Sequence, residues 1–186
     1  MKKISVEKYN PVWKIQFEKA KTFYEKVLKD IEVEIVHVGS TSIEGLWAKP
    51  ILDIDIIVNN VIDCERTIEF LKSVGYEYIG NLGIEGREAF KYSEDNSHIQ
   101  WMEHNLYVCV KENENLRNHL LLKNHLLQNK TAVEQYSILK RNLAKKYPHD
   151  IDSYVEGKTE LIKGFLTAEG MSEEELERIE LMNKKE

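Results

Sequence analysis

Two aspartates on one predicted strand are the residues of this sequence best suited to chemistry. Asp53 and Asp55 lie in the stretch Lys49–Val58, which is otherwise rich in Ile, Leu and Val. Side chains alternate between the faces of a strand, so both carboxylates point to the same side. Like charges in a half-buried strand repel unless a cation or a shared proton relieves them, and Mg²⁺ is commonly held by one or two carboxylates plus substrate phosphates. The simpler alternative is the polar face of an ordinary amphipathic strand.

A glycine and three hydroxyl residues precede the aspartates. Gly39 permits a turn with positive φ, and Ser40, Thr41 and Ser42 are of the types that cap a helix N-terminus. Backbone N–H groups at such a terminus are a natural phosphate site. A phosphate site just upstream of a carboxylate pair indicates a metal–nucleotide site, and the joint pattern favours that interpretation over an ordinary strand.

Two further residues flank this predicted site. His37 lies just before the turn, on a strand expected at Val33–Val38. We expect it to contact a phosphate or an acceptor, or alternatively to make a local hydrogen bond that orients the loop. Lys49 starts the strand of the aspartates and either neutralises a triphosphate or points into solvent.

The spacing of these residues resembles a known signature. Gly39-Ser40, twelve residues, and then Asp53-Ile54-Asp55 resemble the signature of the nucleotidyltransferase superfold. The wider runs His37–Ser42 and Lys49–Asp55 are similar to those of the GrpB family, a group of small bacterial proteins of this superfold. Three more segments extend the resemblance over about residues 5–168: Tyr9–Trp13, Gly86–Phe90 and Tyr154–Lys158.

The resemblance implies a fold, a reaction and further site residues. The fold is α/β (α+β), with a nucleotidyltransferase-like mixed sheet flanked by helices. The reaction is transfer of a nucleoside monophosphate from a nucleoside triphosphate to an unknown acceptor, with Mg²⁺ held by the catalytic Asp53 and Asp55. Arg87 and Lys158 lie in the family-like segments and are predicted to bind the nucleotide's phosphates. Because the family is largely without an established activity, two alternatives stay open: a non-catalytic nucleotide- or metabolite-binding protein, and a protein-interaction module.

One departure from the family pattern concerns a later strand. The GrpB-type pattern generally has a His-Leu-His core there, whereas this chain has Asn105 and Tyr107 in place of the histidines. Active nucleotidyltransferases often carry a further carboxylate on this strand, which completes the metal site or acts as the base. Glu103 shares a face with Asn105 and Tyr107, so it is the predicted third catalytic carboxylate; alternatively it is an exposed strand residue. The missing histidines motivate the non-catalytic alternative.

Composition narrows the range of partners. The 186 residues carry a net charge of −6 at pH 7, so nothing attracts nucleic acid globally, although a local basic groove is compatible with this charge. No apolar run approaches the roughly 20 residues that cross a membrane. The N-terminus shows no apolar signal-peptide core, and Cys64 and Cys109 have no metal or redox spacing. We therefore expect a cytoplasmic protein with reduced thiols.

Periodicity divides the chain into three parts. Residues 1–110 are the predicted nucleotidyltransferase-like core, with four or five strands, a first helix from Asn10-Pro11 and a helix after Asn60. Residues 111–168 are predicted to form helices 112–127, 131–147 and 152–167 that pack on the core and leave the site in the cleft between. Residues 169–186 are predicted to form a last helix that packs on the domain, mediates a homodimer or frays.

Two local patterns add further expectations. Residues 87–110 are predicted to form a hairpin with strands 87–92 and 98–110 and a turn over 93–97. In the helix over 131–147, Lys140, Arg141, Lys145 and Lys146 form a basic band. A solvated helix face is the default interpretation of such a band, and a phosphate-facing rim is the alternative.

Overall fold

The computed structural model describes residues 3–92 and 96–183; the predicted turn residues Ser93, Glu94 and Asp95 lie outside this range. Seven helices and five strands are present in the described residues, together with a short 3₁₀ turn over Ser40–Ser42. In chain order they are α1 (Val12–Val27), β1 (Val33–Val38), β2 (Leu52–Val58), α2 (Val61–Ser73), β3 (Tyr76–Gly80), β4 (Arg87–Tyr92), β5 (His104–Val110), α3 (Glu114–Gln128), α4 (Lys130–Lys146), α5 (Ile151–Glu156), α6 (Thr159–Ala168) and α7 (Glu173–Asn183).

The strands form one mixed sheet in the order β1-β2-β5-β4-β3. Strand β2 pairs antiparallel with β1 and parallel with β5, which places it inside the sheet. The register sets Asp53 opposite Asn105 and Asp55 opposite Tyr107. The α/β architecture with a mixed sheet and flanking helices is therefore confirmed.

Different helices cover the two faces of the sheet. Helices α1 and α2 pack on one face, where Phe17, Tyr24 and Leu71 join Ile54 and Ile56 of β2 in the main core. Alternation then turns Asp53 and Asp55 to the other face, against α3 and the helices that follow it. On that face Leu116 of α3 packs on Ile57 and Cys109. Both aspartates therefore point to the face of the sheet on which the cleft with the C-terminal helices was predicted.

Two element predictions were wrong. Strand β5 begins at His104 rather than at residue 98, since the preceding residues form turns in which Trp101 packs into the main core. The single helix predicted over 152–167 is two helices, α5 and α6, with a break at Gly157 and Lys158. A Cβ at Gly157 would lie 2.5 Å from a Leu143 side-chain atom, so glycine lets the break sit closely against α4. Because of the break, Lys158 lies immediately before the first residue of α6.

The last helix packs on the domain. Ser172 and Glu175 form a capping box, with Ser172 N–H donating to Glu175 Oε2 at 2.8 Å. Leu176 and Ile179 are buried against Leu166, and Arg178 pairs with Glu114 of α3 at 3.0 Å. Among the described residues, no helix combines the length and the apolar character that crossing a membrane requires.

Candidate active site

A glycine turn lies directly against the first aspartate. Gly39 has φ +66°, and a Cβ on it would lie 2.0 Å from Asp53 Oδ2. Because any side chain at this position would collide with Asp53, only glycine lets the carboxylate lie against the loop. The predicted phosphate loop and the predicted metal ligand are therefore in contact.

The three hydroxyls after Gly39 differ in their partners. Ser42 Oγ donates to Gly39 O at 2.7 Å, and Thr41 Oγ1 donates to Ile51 O at 3.3 Å. These two bonds hold the loop in shape. Ser40 Oγ instead accepts from the ammonium of Lys140 and faces a cavity over Asp53. Ser40, which also hydrogen-bonds Tyr136, is thus the loop residue whose hydroxyl faces the cavity.

Lys140 is buried, so the solvated-face interpretation was wrong for this residue. Its side chain is 2 % exposed, and its Nζ donates to Ser40 and, at 3.0 Å, to Trp47 O. Burial and the nearby ammonium of Lys158 lower its pKa well below the usual lysine value. The signal was present in the sequence, because helical phase puts Lys140 beside Tyr136 and Leu143 on the buried side of α4.

The two carboxylates have unequal surroundings. Asp53 Oδ1 accepts from Asn105 Nδ2 at 2.7 Å, and burial raises the pKa of the Asp53 carboxyl. Asp55 is fully buried, and its Oδ2 lies 2.8 Å from His119 Nδ1. Asp55 Oδ1 has no hydrogen-bond partner among the described residues. The pair therefore combines one hydrogen-bonded carboxylate with one buried oxygen that lacks a partner.

His119 is a site residue that the sequence did not reveal. Burial lowers the pKa of this histidine, but the carboxylates of Asp55 and Asp53 outweigh that effect and hold the pKa above its usual value. A protonated imidazole at this position would balance the negative charge of the buried Asp55 carboxylate. No local pattern in α3 marks His119, since its partner is 64 residues away in sequence.

A cavity of about 200 Å³ lies among these groups; Ser40, Asp53 and His119 line it, whereas the fully buried Asp55 is not in its lining. Lys158 lines it, and burial together with the charge of Lys49 lowers the lysine's pKa to about 8, although Asp53 opposes this shift. The Nζ atoms of Lys158 and Lys49 lie 4.9 Å and 5.8 Å from the centre of the Tyr154 ring. The polar residues around the cavity are Ser40, Asp53, Tyr107, His119, Lys123, Tyr136 and Lys158.

Comparison with known proteins identifies the family. A model of the family described as "GrpB protein" matches residues 3–168. The chain belongs to the GrpB family. The glutamate-rich protein GrpB of Alkalihalophilus pseudofirmus is 33% identical over 155 residues, which cover 83% of this chain and 88% of that protein. UPF0157 protein YqkA of Bacillus subtilis is 31% identical over 87% of this chain but only 46% of its own length.

Solved structures agree with the family and with the fold. The GrpB crystal structure from Enterococcus faecalis has a TM-score of 0.75 at 29% identity and covers 94% of this GrpB-family chain and 98% of its own. Cid1, solved as an RNA terminal uridylyl transferase, has a TM-score of 0.55 at 15% identity and covers 83% of this chain but 47% of Cid1. The GrpB chain therefore has a nucleotidyltransferase-like fold and spans about half the length of Cid1.

The remaining predicted site residues of this GrpB chain lie around the cavity or apart from it. His37 stacks on Phe17 at 4.7 Å on the opposite face of the sheet, and its Nε2 lies 2.9 Å from Thr41 Oγ1. Arg87 stacks on Tyr107 at 4.7 Å and donates to Asn115 Oδ1 at 3.2 Å. Neither side chain is in the lining of the cavity: Arg87 packs on Tyr107, which lines it, and His37 lies on the opposite face of the sheet.

Glu103 and Lys49 border a different cavity. That cavity is also lined by Pro50 and Ile51, and Asp53 and Lys158 are not among its lining residues. Glu103 therefore does not stand beside Asp53 and Asp55 as a third carboxylate. The residue opposite Asp53 is Asn105, whose amide donates to it.

The acid pair fits a divalent cation only with help from a ligand. The part of the chain that the structure describes has no cluster of three or more His, Cys, Asp or Glu side chains able to hold a metal ion. Asp55 Oδ1 is a buried oxygen in need of a partner, and Asp53 is next to it on the same face. Two carboxylates with phosphate oxygens are a common Mg²⁺ environment, so the residues fit such an ion when a phosphate ligand completes its coordination.

The buried His37 gives a pH prediction. Burial and the charge of Lys123 lower its pKa from 6.5 to about 4, so between these pH values the unfolded chain binds a proton that the folded chain does not. The stability present above pH 6.5 is therefore lost as pH falls towards 4. By linkage the loss is at most about 3 kcal/mol.

Urea unfolding at pH 7 and pH 4.5 measures this loss. The His37→Gln variant keeps a side chain that can bond Thr41 but does not titrate. Between pH 7 and pH 4.5, we expect the free energy of unfolding of His37→Gln to fall by about 2 kcal/mol less than that of wild type. The exposed His98, replaced in a His98→Gln control, should leave the wild-type pH dependence unchanged. Equal losses in both variants would contradict the assignment.

Proposed function

We propose that this GrpB-family chain is a Mg²⁺-dependent nucleotidyltransferase, which transfers a nucleoside monophosphate from a nucleoside triphosphate to an acceptor. The observation that carries the proposal is the contact between the Gly39 turn and Asp53. It puts a hydroxyl and backbone loop suited to phosphate against the carboxylate pair suited to a metal. A Cid1 structure with Mg 3′-dATP bound matches this chain with a TM-score of 0.53, and this similarity of fold is consistent with the proposal.

Each group around the cavity has a role in this proposal. The Ser40 hydroxyl, the backbone of residues 39–42 and the Lys158 ammonium bind the β- and γ-phosphates. Lys140 holds Ser40 in place from below. Asp53 and Asp55 hold Mg²⁺, which when bound neutralises charge on the phosphates and on the leaving pyrophosphate. His119 keeps the carboxylate of Asp55 oriented.

The reaction is a displacement at the α-phosphorus. A hydroxyl or another nucleophile of the acceptor attacks that phosphorus, the bond to the bridging oxygen breaks, and pyrophosphate leaves. The residues of this chain contribute by positioning the phosphates and by balancing their charge. This accounts for a site made of fixed donors and carboxylates rather than of a covalent nucleophile.

One observation favours a second candidate, a nucleotide- or metabolite-binding protein without turnover. Asn105 stands opposite Asp53, where a third carboxylate would add charge for a metal. An amide there lowers the negative charge of the site. Measured turnover of a triphosphate that disappears in Asp53→Ala would eliminate this candidate, and binding without turnover for every acceptor tried would favour it.

Thermal shift with nucleoside triphosphates tests the proposal. Wild type is heated with each of the four common triphosphates, with and without Mg²⁺, beside Asp53→Asn. A ligand present at 100 times its dissociation constant adds about 2.7 kcal/mol of stability. We expect a shift that needs both the nucleotide and Mg²⁺ and is lost in Asp53→Asn but kept in Asp152→Asn, a matched change at an exposed aspartate. An absence of any shift would reject the proposal and direct attention to protein partners.

A further inference from the structure

A second cavity lies beside the acid cavity. It measures about 300 Å³ and lies beneath the N-terminal segment. Its lining combines aliphatic side chains with polar ones. The aliphatic lining residues are Ile4, which is buried, Pro50, Ile51 and the exposed Ile151, and the polar lining residues are Lys3, Ser5, Lys49, Glu103 and His149.

The two cavities are neighbours along the sheet. Ile51 precedes Asp53 by two residues, so their Cα atoms are at most about 7 Å apart. On the adjoining strand, Glu103 precedes by two residues Asn105, whose amide donates to Asp53 at 2.7 Å. A ligand in the second cavity would therefore lie next to the predicted reaction centre.

One aromatic ring contacts a lysine from each cavity. Lys49, which lines the second cavity, and Lys158, which lines the acid cavity, both lie over the ring of Tyr154. The positive charge of Lys49 is also one cause of the lowered pKa of Lys158. The same pair of ammonium groups can therefore act on anions in either cavity.

The lining selects the chemistry of the occupant. The aliphatic side chains favour contact with an apolar group, and the ammonium groups of Lys3 and Lys49 favour an anion beside them. Two ammonium groups also disfavour a polycation. Single-stranded nucleic acid is bound mainly by aromatic platforms along extended grooves, and the described lining of this small cavity contains no Phe, Tyr or Trp.

We propose that this cavity binds the acceptor, a small amphipathic molecule with an aliphatic part and an anionic group. This inference rests on the proposed function. The acceptor's hydroxyl attacks the α-phosphorus of the nucleoside triphosphate, a new O–P bond forms, the bond to pyrophosphate breaks, and the hydroxyl proton passes to the Glu103 carboxylate. Glu103, which lines the second cavity, then acts as the base from the acceptor's side.

Three probes with the same alkyl chain test the chemistry of the cavity. Hexanoate, hexylamine and hexanol are titrated separately into ¹⁵N-labelled protein, and amide shifts are followed by NMR. We expect hexanoate to move the amides of Ile4, Ile51 and Ile151 and to bind at least tenfold more tightly than hexylamine, with hexanol between them. Equal affinities for the three probes, or shifts confined to another surface, would overturn the proposal.

A matched pair of variants locates the binding. Ile151→Glu puts a carboxylate at the cavity, whereas Ile138→Glu puts one at an exposed isoleucine of α4 that does not line it. Hexanoate affinity should fall at least tenfold in Ile151→Glu and should stay within twofold of wild type in Ile138→Glu. Unchanged affinity in Ile151→Glu would overturn the proposal even if hexanoate binds.

Two further titrations separate this inference from the proposed function. Hexanoate should bind Asp53→Asn as it binds wild type, and it should bind wild type already saturated with Mg²⁺ and a non-hydrolysable triphosphate. If no nucleotide binds but hexanoate does, the proposed function fails while the anion-binding cavity stands. If both bind but exclude each other, the nucleotide site stands and the assignment of the cavity to the acceptor is wrong.

Discussion

Gly39→Ala is expected to destabilise the protein by more than about 3 kcal/mol or to disrupt the candidate site. Alanine at φ +66° and ψ −169° has to adopt a backbone conformation that is essentially restricted to glycine, at a cost of about 1–3 kcal/mol. Its Cβ would also lie 2.0 Å from Asp53 Oδ2, so the carboxylate or the loop has to move. Because Asp53 is partly buried and hydrogen-bonded to Asn105, either movement breaks contacts that hold the site together.

A second glycine separates the two causes. Gly83 has φ +80°, and a Cβ there would meet nothing within 4 Å. Gly83→Ala therefore carries the backbone cost alone, about 1–2 kcal/mol. Urea unfolding of both variants at pH 7 gives the comparison. If Gly39→Ala loses no more stability than Gly83→Ala and also keeps its nucleotide-dependent thermal shift, the close contact between loop and carboxylate is refuted.

His119→Leu is the second change with a large expected effect. It leaves the carboxylate of Asp55 fully buried and takes away the imidazole 2.8 Å from its Oδ2. Breaking a buried charge pair from one side typically costs 3–5 kcal/mol, because the other charge is left without compensation. Removing both charges is often much less costly, since apolar side chains can fill the space.

A double-mutant cycle measures the coupling. Urea unfolding at pH 7 is compared for His119→Leu, Asp55→Leu and the double variant. We expect the double variant to be more stable than His119→Leu by at least about 1 kcal/mol. Two effects that simply add would show that the histidine and the aspartate act independently.

Local patterns were sufficient to predict much of the fold. The limits of β1 and β4 agree with the structure at both ends, because alternation and turn residues mark them clearly. The two aspartates on one face follow from strand geometry alone. The break between α5 and α6 was missed, because the apolar spacing of residues 152–167 continues across Gly157 and the packing of Leu143 that requires glycine there is tertiary.

Only the part of the candidate site on β2 and on the loop over residues 39–42 could be predicted from the sequence. Lys140 comes from α4, 100 residues after Ser40, and His119 comes from α3, 64 residues after Asp55. No spacing rule connects such distant positions, so their partners depend on how the helices pack on the sheet. The alternation of side chains along a strand predicted that Glu103 shares a face with Asn105 and Tyr107. However, β5 begins only at His104, so the alternation does not extend to Glu103, which lines the neighbouring cavity.

Metal binding that depends on nucleotide is the measurement that tests the central claim most directly. Mn²⁺ is titrated into the protein with and without a non-hydrolysable triphosphate, and free Mn²⁺ is followed by electron paramagnetic resonance. If Asp53 and Asp55 need phosphate oxygens to complete the metal site, Mn²⁺ affinity rises at least tenfold with nucleotide, and by linkage nucleotide affinity rises equally with Mn²⁺. In Asp53→Asn/Asp55→Asn both gains should vanish. Equal Mn²⁺ affinity with and without nucleotide, or a gain that survives in the double variant, would contradict a metal–nucleotide site at these aspartates.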